Sequence, residues 1–350
     1  MEALEAVWGW ELPPVANVLV SIPRPWGFVV AERRPGRLVG GEWLVYLVEK
    51  VGVPSGRVVS RLLSAVGGVE ARISGLKDAD AVAYQYVYVR GGRPIEKIVG
   101  EGWRAWLVGF REKPPGLGGH MWNLFRLTLE VVDGDPVKAC EALSRVRLTP
   151  GLYGPQRFGV KRPNTHLAGL YLSLGAWGRL LAEMGYEYPW GGAPGGYEAR
   201  SLEESVKAGA PRIQGVPRRL SREAVQSYVW NRAASKALLD GVEKYAERKA
   251  STPCPRPGRA LVARLPDKSM VESPRTSWEK LVASIVEEEG IPSLILPARA
   301  PRRALAAEPC MLKCREDGGR LVLWASLPRG LFATSLVRAA VWVDWLSALG

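Results

Sequence analysis

Only a few residues in this sequence are of types that do chemistry. The two histidines, His120 and His166, stand far apart, and no acids cluster at ligand spacing, so a metal-dependent hydrolase is disfavoured. Cys310 and Cys314 could offer two thiolates to a metal, but no matching second pair follows, and Cys140 and Cys254 are isolated. A disulfide is allowed without its pairing being readable, and no metal and no cofactor is expected. Asp78, in Gly75-Leu76-Lys77-Asp78, falls in a connection just ahead of the strand-like run from Ala81 to Arg90, rich in Tyr and Val, and such loops commonly carry catalytic groups. Taken alone, a Lys-Asp pair is most often a solvated turn.

The elements that must hold Asp78 are legible nearby. Phe28-Val29-Val30 and Trp43 to Val48 are short β-type runs separated by a basic, Gly-rich loop. Val58, Val59, Leu62, Leu63 and Val66 recur at helical spacing between Ser55, a candidate cap, and Gly67-Gly68, a stop. From Asn123, alternation of Phe125, Leu127, Leu129 and Val131 with Leu124, Arg126, Thr128 and Glu130 predicts a half-buried strand. Asp135-Pro136 then opens a helix whose expected buried stripe is Val137, Cys140, Leu143 and Val146. Beyond Gly159 the sequence reads as mainly helical, with helices predicted over 165–184, 221–249 and 277–289, broken by Pro/Gly-rich stretches. Strand-like runs return after Arg299, notably Arg320 to Trp324. A β-rich domain interrupted by a helical insertion accounts for this order.

Composition narrows the partner. The 350 residues are 47% hydrophobic and 24% charged, an ordinary globular balance, and no apolar run is long enough to span a membrane. The N-terminus lacks the basic flank and apolar stretch of a secretory signal, so a cytoplasmic address is expected. A net charge of +13 favours a polyanion, since neutralised phosphates release condensed counterions. Only four Asn and four Gln are present, a depletion of thermolabile amides that suggests a thermophile.

Segments spread over nearly the whole chain resemble the TruD family of tRNA pseudouridine synthases. They are Phe28 to Glu32, Gly75 to Gln85, Asn123-Leu124-Phe125, Tyr153-Gly154-Pro155-Gln156-Arg157-Phe158-Gly159, Gln226 to Asn231, and Leu327 to Ser335. The resemblance implies an α/β (α+β) fold of pseudouridine-synthase type. Its catalytic domain, residues 1–160 and 299–350, would have a mixed, mainly antiparallel sheet, with a mostly helical, RNA-contacting insertion at 161–298. It implies a monomeric, cofactor-free isomerase acting on tRNA, usually at uridine 13, with Asp78 catalytic. An ionised carboxylate needs a cation beside it, for which Lys77 and Arg157 are candidates. Adjacent residues of an extended chain point apart, which favours Arg157. Phe28, Phe125 and Phe332 would line the uracil pocket, and Asn123 would offer it both a donor and an acceptor. Arg24, Arg33, Arg34, Arg212, Arg218, Arg219 and Arg222 are candidate phosphate contacts. The chain departs from the family at Ile22, where a Lys is usual, at Ala83 for Thr, at Trp122 for Gly, and at Gly151-Leu152-Tyr153 for Asn-Tyr-Phe. Such changes mark a divergent, archaeal-type member. An RNA-binding protein or RNA chaperone that kept the fold without the chemistry is the alternative.

Overall fold

The computed structural model describes residues 5–33, 35–36, 38, 40–114, 116, 122–159, 164–176, 179–180, 218–252, 254 and 257–345. Arg34 and Arg212 lie outside the described residues, as do the side chains of Arg218 and Arg219. In chain order the strands are β1 (Leu19–Ser21), β2 (Phe28–Glu32), β3 (Trp43–Val51), β4 (Glu70–Ile73), β5 (Val82–Arg90), β6 (Lys97–Gly100), β7 (Trp103–Arg111), β8 (Trp122–Asp133), β9 (Thr149–Pro150), β10 (Arg248–Ser251), β11 (Arg259–Arg264), β12 (Arg302–Ala307), β13 (Met311–Asp317), β14 (Arg320–Pro328) and β15 (Trp342–Val343). The helices are α1 (Ser55–Val66), α2 (Pro136–Ser144), α3 (Thr165–Leu174), α4 (Arg218–Leu239), α5 (Lys268–Glu272), α6 (Ser277–Glu288) and α7 (Ala333–Ala340). Among the described residues, no helix is long and apolar enough to cross a membrane.

The chain divides into two compact units. The first comprises Pro14–Thr149, Ser251–Gly258 and Glu308–Gly350. Its sheet runs β13-β14-β8-β2-β5-β3-β7-β6, with β1 also on β8, β15 on β1 and β4 on β5. Pairing is antiparallel except for β1 with β15 and β2 with β5. The alternation expected of β8 is present: Phe125, Leu127 and Leu129 are buried. Val58, Leu62 and Val66 of α1 pack on Leu44, Tyr46, Val48, Val87 and Val89 of the sheet. Gly67 ends α1 at φ +66°, a left-handed conformation that glycine adopts without steric cost. Ser55 is the first helical residue rather than the cap, and its hydroxyl is used elsewhere.

Asp135 caps α2, accepting from the N–H groups of Val137 and Lys138. The buried face of α2 is Ala139, Ala142 and Leu143, so of the expected stripe Leu143 is buried, while Val137 is exposed and Val146 lies beyond the helix end. Cys140 sits at the edge of this face and is bonded to Cys314 of β13, with Cα atoms 5.5 Å apart. Cys254 is bonded to Cys310 in the same unit.

The second unit comprises Met1–Pro13, Pro150–Ala250 and Arg259–Ala307. Helices dominate it, but α3 stops at Gly175 (φ +64°) rather than near 184. Likewise α4 stops at Leu239, and the chain continues through a short turn into β10. The capping box of Thr276 and Glu279 fixes the start of α6. A small sheet ordered β10-β11-β12-β9 was not expected from the sequence. Ala260 to Ala263 is a short apolar run of a kind whose period cannot distinguish strand from helix.

Candidate active site

Asp78 stands between β4 and β5, directly ahead of the parallel junction of β2 with β5. Its side chain is 38% exposed, and its Oδ2 lies 3.9 Å from a guanidinium nitrogen of Arg24. The cation facing the carboxylate is therefore Arg24. Arg157 belongs to the second unit, where it bonds to Glu223 at 2.9 Å. Lys77 is turned away as well: its Nζ lies 2.7 Å from Glu32 Oε1 at the end of β2, and both side chains are buried.

Arg24 is only 6% exposed, too enclosed to grip an open phosphate backbone. It stacks over the Phe28 ring at 3.8 Å and donates to the Asp80 carbonyl at 3.0 Å. Burial pulls its pKa down, while Asp78 and Asp80 oppose that pull. Ile22, at the position where a Lys was expected, is fully buried, so Arg24 supplies the charge from two residues further on.

The backbone carrying Asp78 is held by groups that sequence reasoning missed. Lys50 of β3, fully buried, donates from Nζ to the Asp78 carbonyl. Its pKa falls to about 8, chiefly through burial, with Asp78 opposing and Lys77 reinforcing the fall. The Ser55 hydroxyl accepts from the Lys77 N–H at 3.1 Å and donates to Gln85 Oε1 at 2.8 Å. Glu32 accepts at its other oxygen from the Tyr86 N–H at 3.0 Å. A loop pinned at Lys77 by Ser55 and at Asp78 by Lys50 loses little further entropy when it engages a ligand. The available signal was a polar residue on the buried phase of an apolar strand, true of both Lys50 and Gln85.

The aromatic residues divide into two kinds. Phe28 and Phe125 are buried and meet edge to face at 5.9 Å, on adjacent strands β2 and β8. Asn123 lies opposite Glu32 in the same ladder and opposite Leu327 of β14, so it shares the face of Phe125. Phe332, at the start of α7, is 37% exposed. Of the remaining arginines, Arg33 is exposed with its guanidinium 5.6 Å from the Trp122 ring, and Arg222 is exposed on α4.

Comparison with known proteins supplies the class. The family model described as tRNA pseudouridine synthase D (TruD) matches residues 23–188, which contain Arg24, Phe28, Lys50, Asp78 and Asn123. A protein of Saccharolobus solfataricus named "Probable tRNA pseudouridine synthase D" is 31% identical over 45% of this chain and 44% of its own length. One of the same name from Thermococcus sibiricus is 25% identical over 90% of this chain and 93% of its own. The chain thus spans less than half the length of the first of these relatives and nearly all of the second. A crystal structure described as the "Putative tRNA pseudouridine synthase D (TruD)" from Methanosarcina mazei shares the fold, with a TM-score of 0.69, 17% identity and 98% of both chains covered. Just under half of the chain, residues 23–188, is thus similar to the TruD family, and the fold is that of the Methanosarcina mazei structure.

Proposed function

We propose that the protein isomerises uridine to pseudouridine in tRNA, with Asp78 as the catalytic carboxylate and uridine 13 as the target. The observation that carries the reading is a half-open aspartate facing a buried arginine, on a loop whose backbone is anchored by Lys50 and Ser55. Binding alone has no use for a carboxylate displayed in this way, since it would repel phosphates.

The reaction breaks the bond between ribose C1′ and uracil N1 and forms one from C1′ to C5. The C5 proton is lost and N1 regains a proton, so atoms and electrons balance within the substrate, and no cofactor is called for. Asp78 attacks C1′ or removes a ribose proton; both routes need the ionised carboxylate that Arg24 faces. The detached base must be held while it turns. Phe332 offers a ring face for that purpose, Asn123 a donor and an acceptor for the uracil edge, and Phe28 and Phe125 a rigid wall behind Arg24. We assign the catalytic part to the first unit and most RNA contacts to the second, with Arg33 of the first and Arg222 of the second as exposed phosphate contacts.

The test is tritium release from unmodified tRNA labelled at uridine C5, with neither metal nor nucleotide added. Release is expected, and Phe332→Ala should slow turnover at least tenfold. Tight tRNA binding without release would favour an RNA-binding protein that keeps the fold and lacks the reaction.

A further inference from the structure

Among the described residues, Trp26 is the only exposed tryptophan, at 70%. Solvating an indole of that size gains nothing for folding, and tryptophans are highly buried on average. The turn that displays it is tightly built. Gly27 donates to the Pro23 carbonyl at 2.7 Å, Phe28 to the Pro25 carbonyl at 3.1 Å, and Thr128 of β8 to the Gly27 carbonyl at 2.8 Å. A Cβ on Gly27 would stand 2.4 Å from the Pro23 oxygen, so only glycine fits behind the indole. The ring is thus mounted on a fixed support whose neighbours on either side, Arg24 and Phe28, stack on each other beside Asp78. Two peptide links put the Trp26 Cα within about 7 Å of the Arg24 Cα. On the other flank, Leu76 is 77% exposed, two residues before Asp78.

We infer that Trp26 is a stacking platform for a base of the RNA next to the target uridine, an inference that rests on the proposed tRNA substrate. Extruding a uridine unstacks its neighbours, and a flat exposed ring beside the reacting centre takes over one of those lost contacts. Stacking ignores base identity, so the platform strengthens binding without reading sequence.

The test compares Trp26→Ala, Trp26→Leu and Trp26→Phe in two assays with unmodified tRNA. Tritium release gives kcat and KM, and binding to variants that also carry Asp78→Asn gives Kd without turnover. Trp26→Ala and Trp26→Leu should raise KM and Kd about tenfold, as loss of one stacked base does. Trp26→Phe should stay within threefold of wild type. Melting temperature should be unchanged throughout, because the side chain is exposed. Unchanged KM and Kd in Trp26→Ala would overturn the inference, as would full rescue by leucine. Wild type that binds no tRNA would overturn both this inference and the functional reading beneath it. Tight binding without release would overturn only the catalytic reading, with Kd still deciding Trp26.

Discussion

The two segments that most resemble the family, Gly75 to Gln85 in the first unit and Tyr153 to Gly159 in the second, use their polar groups in opposite ways. Around Asp78, buried charges and hydroxyls bind the backbone and leave one carboxylate open. Around Tyr153, the polar groups are consumed by the fold. Asn231 accepts from the Tyr153 N–H and donates to the carbonyls of Tyr153 and Trp8. Arg303 lies over the Tyr153 ring at 4.0 Å and donates to the Gly151 carbonyl. Phe158 is fully buried against His166, whose imidazole burial pushes down to about 3, so it stays neutral at physiological pH. Both segments are distinctive as strings of letters. One presents a reacting group and the other locks a core, so distinctiveness in sequence does not by itself locate chemistry.

That contrast can be broken or sharpened by mutation. Glu32→Ala should have the largest effect on stability, because it strands the Lys77 ammonium in a buried site and removes the Tyr86 acceptor. Breaking a buried pair in this way costs about 3–5 kcal/mol, measurable by denaturant unfolding. Asn231→Ala removes three buried hydrogen bonds, and at about 1 kcal/mol each it should cost roughly 3 kcal/mol. A comparable loss of turnover at unchanged folding would instead make the second segment part of the active site. Arg157→Ala breaks a partly exposed pair with Glu223 and should cost no more than about 1 kcal/mol. It should leave kcat within about twofold on this account, whereas Arg24→Ala should lower it at least a hundredfold, the size of effect seen when one preorganised electrostatic contact is lost.

The last effect is a dependence on pH. Folding lowers the pKa of Lys50 from its ordinary value of 10.5 to about 8, so between those values the unfolded chain holds more protons than the native one. Stability should therefore rise with pH across that window, and the rise should vanish in Lys50→Met. An unchanged slope in that variant would mean that Lys50 is not the group responsible.

Much of this was legible in the sequence. The strands at 28 and 43, the helix after Ser55 and the β8 alternation follow from local period and turn residues, which need no tertiary context. The mixed, mainly antiparallel fold implied by the family resemblance is present. What escaped depends on packing between distant segments. Whether Ser55 caps a helix or holds the Lys77 loop is decided by Gln85, thirty residues away. The stripe of α2 was partly misplaced because the helix ends at Ser144 and turns Ala139 and Ala142, rather than Val137, into the core. Gly151, a departure from the family pattern, has a steric reason: a Cβ there would lie 1.8 Å from the Ala304 oxygen of β12, a strand far away in the sequence. The cation of Asp78 was missed for a similar reason, since its identity depends on how the turn before β2 meets the loop before β5.

The central claim is that Asp78 performs the reaction rather than supporting the fold or the RNA. Its direct test is tritium release by Asp78→Asn, measured beside tRNA binding and thermal stability. The account predicts no detectable release, with binding within about threefold of wild type and an unchanged melting temperature. Release at the wild-type rate from a pure preparation of that variant would contradict it.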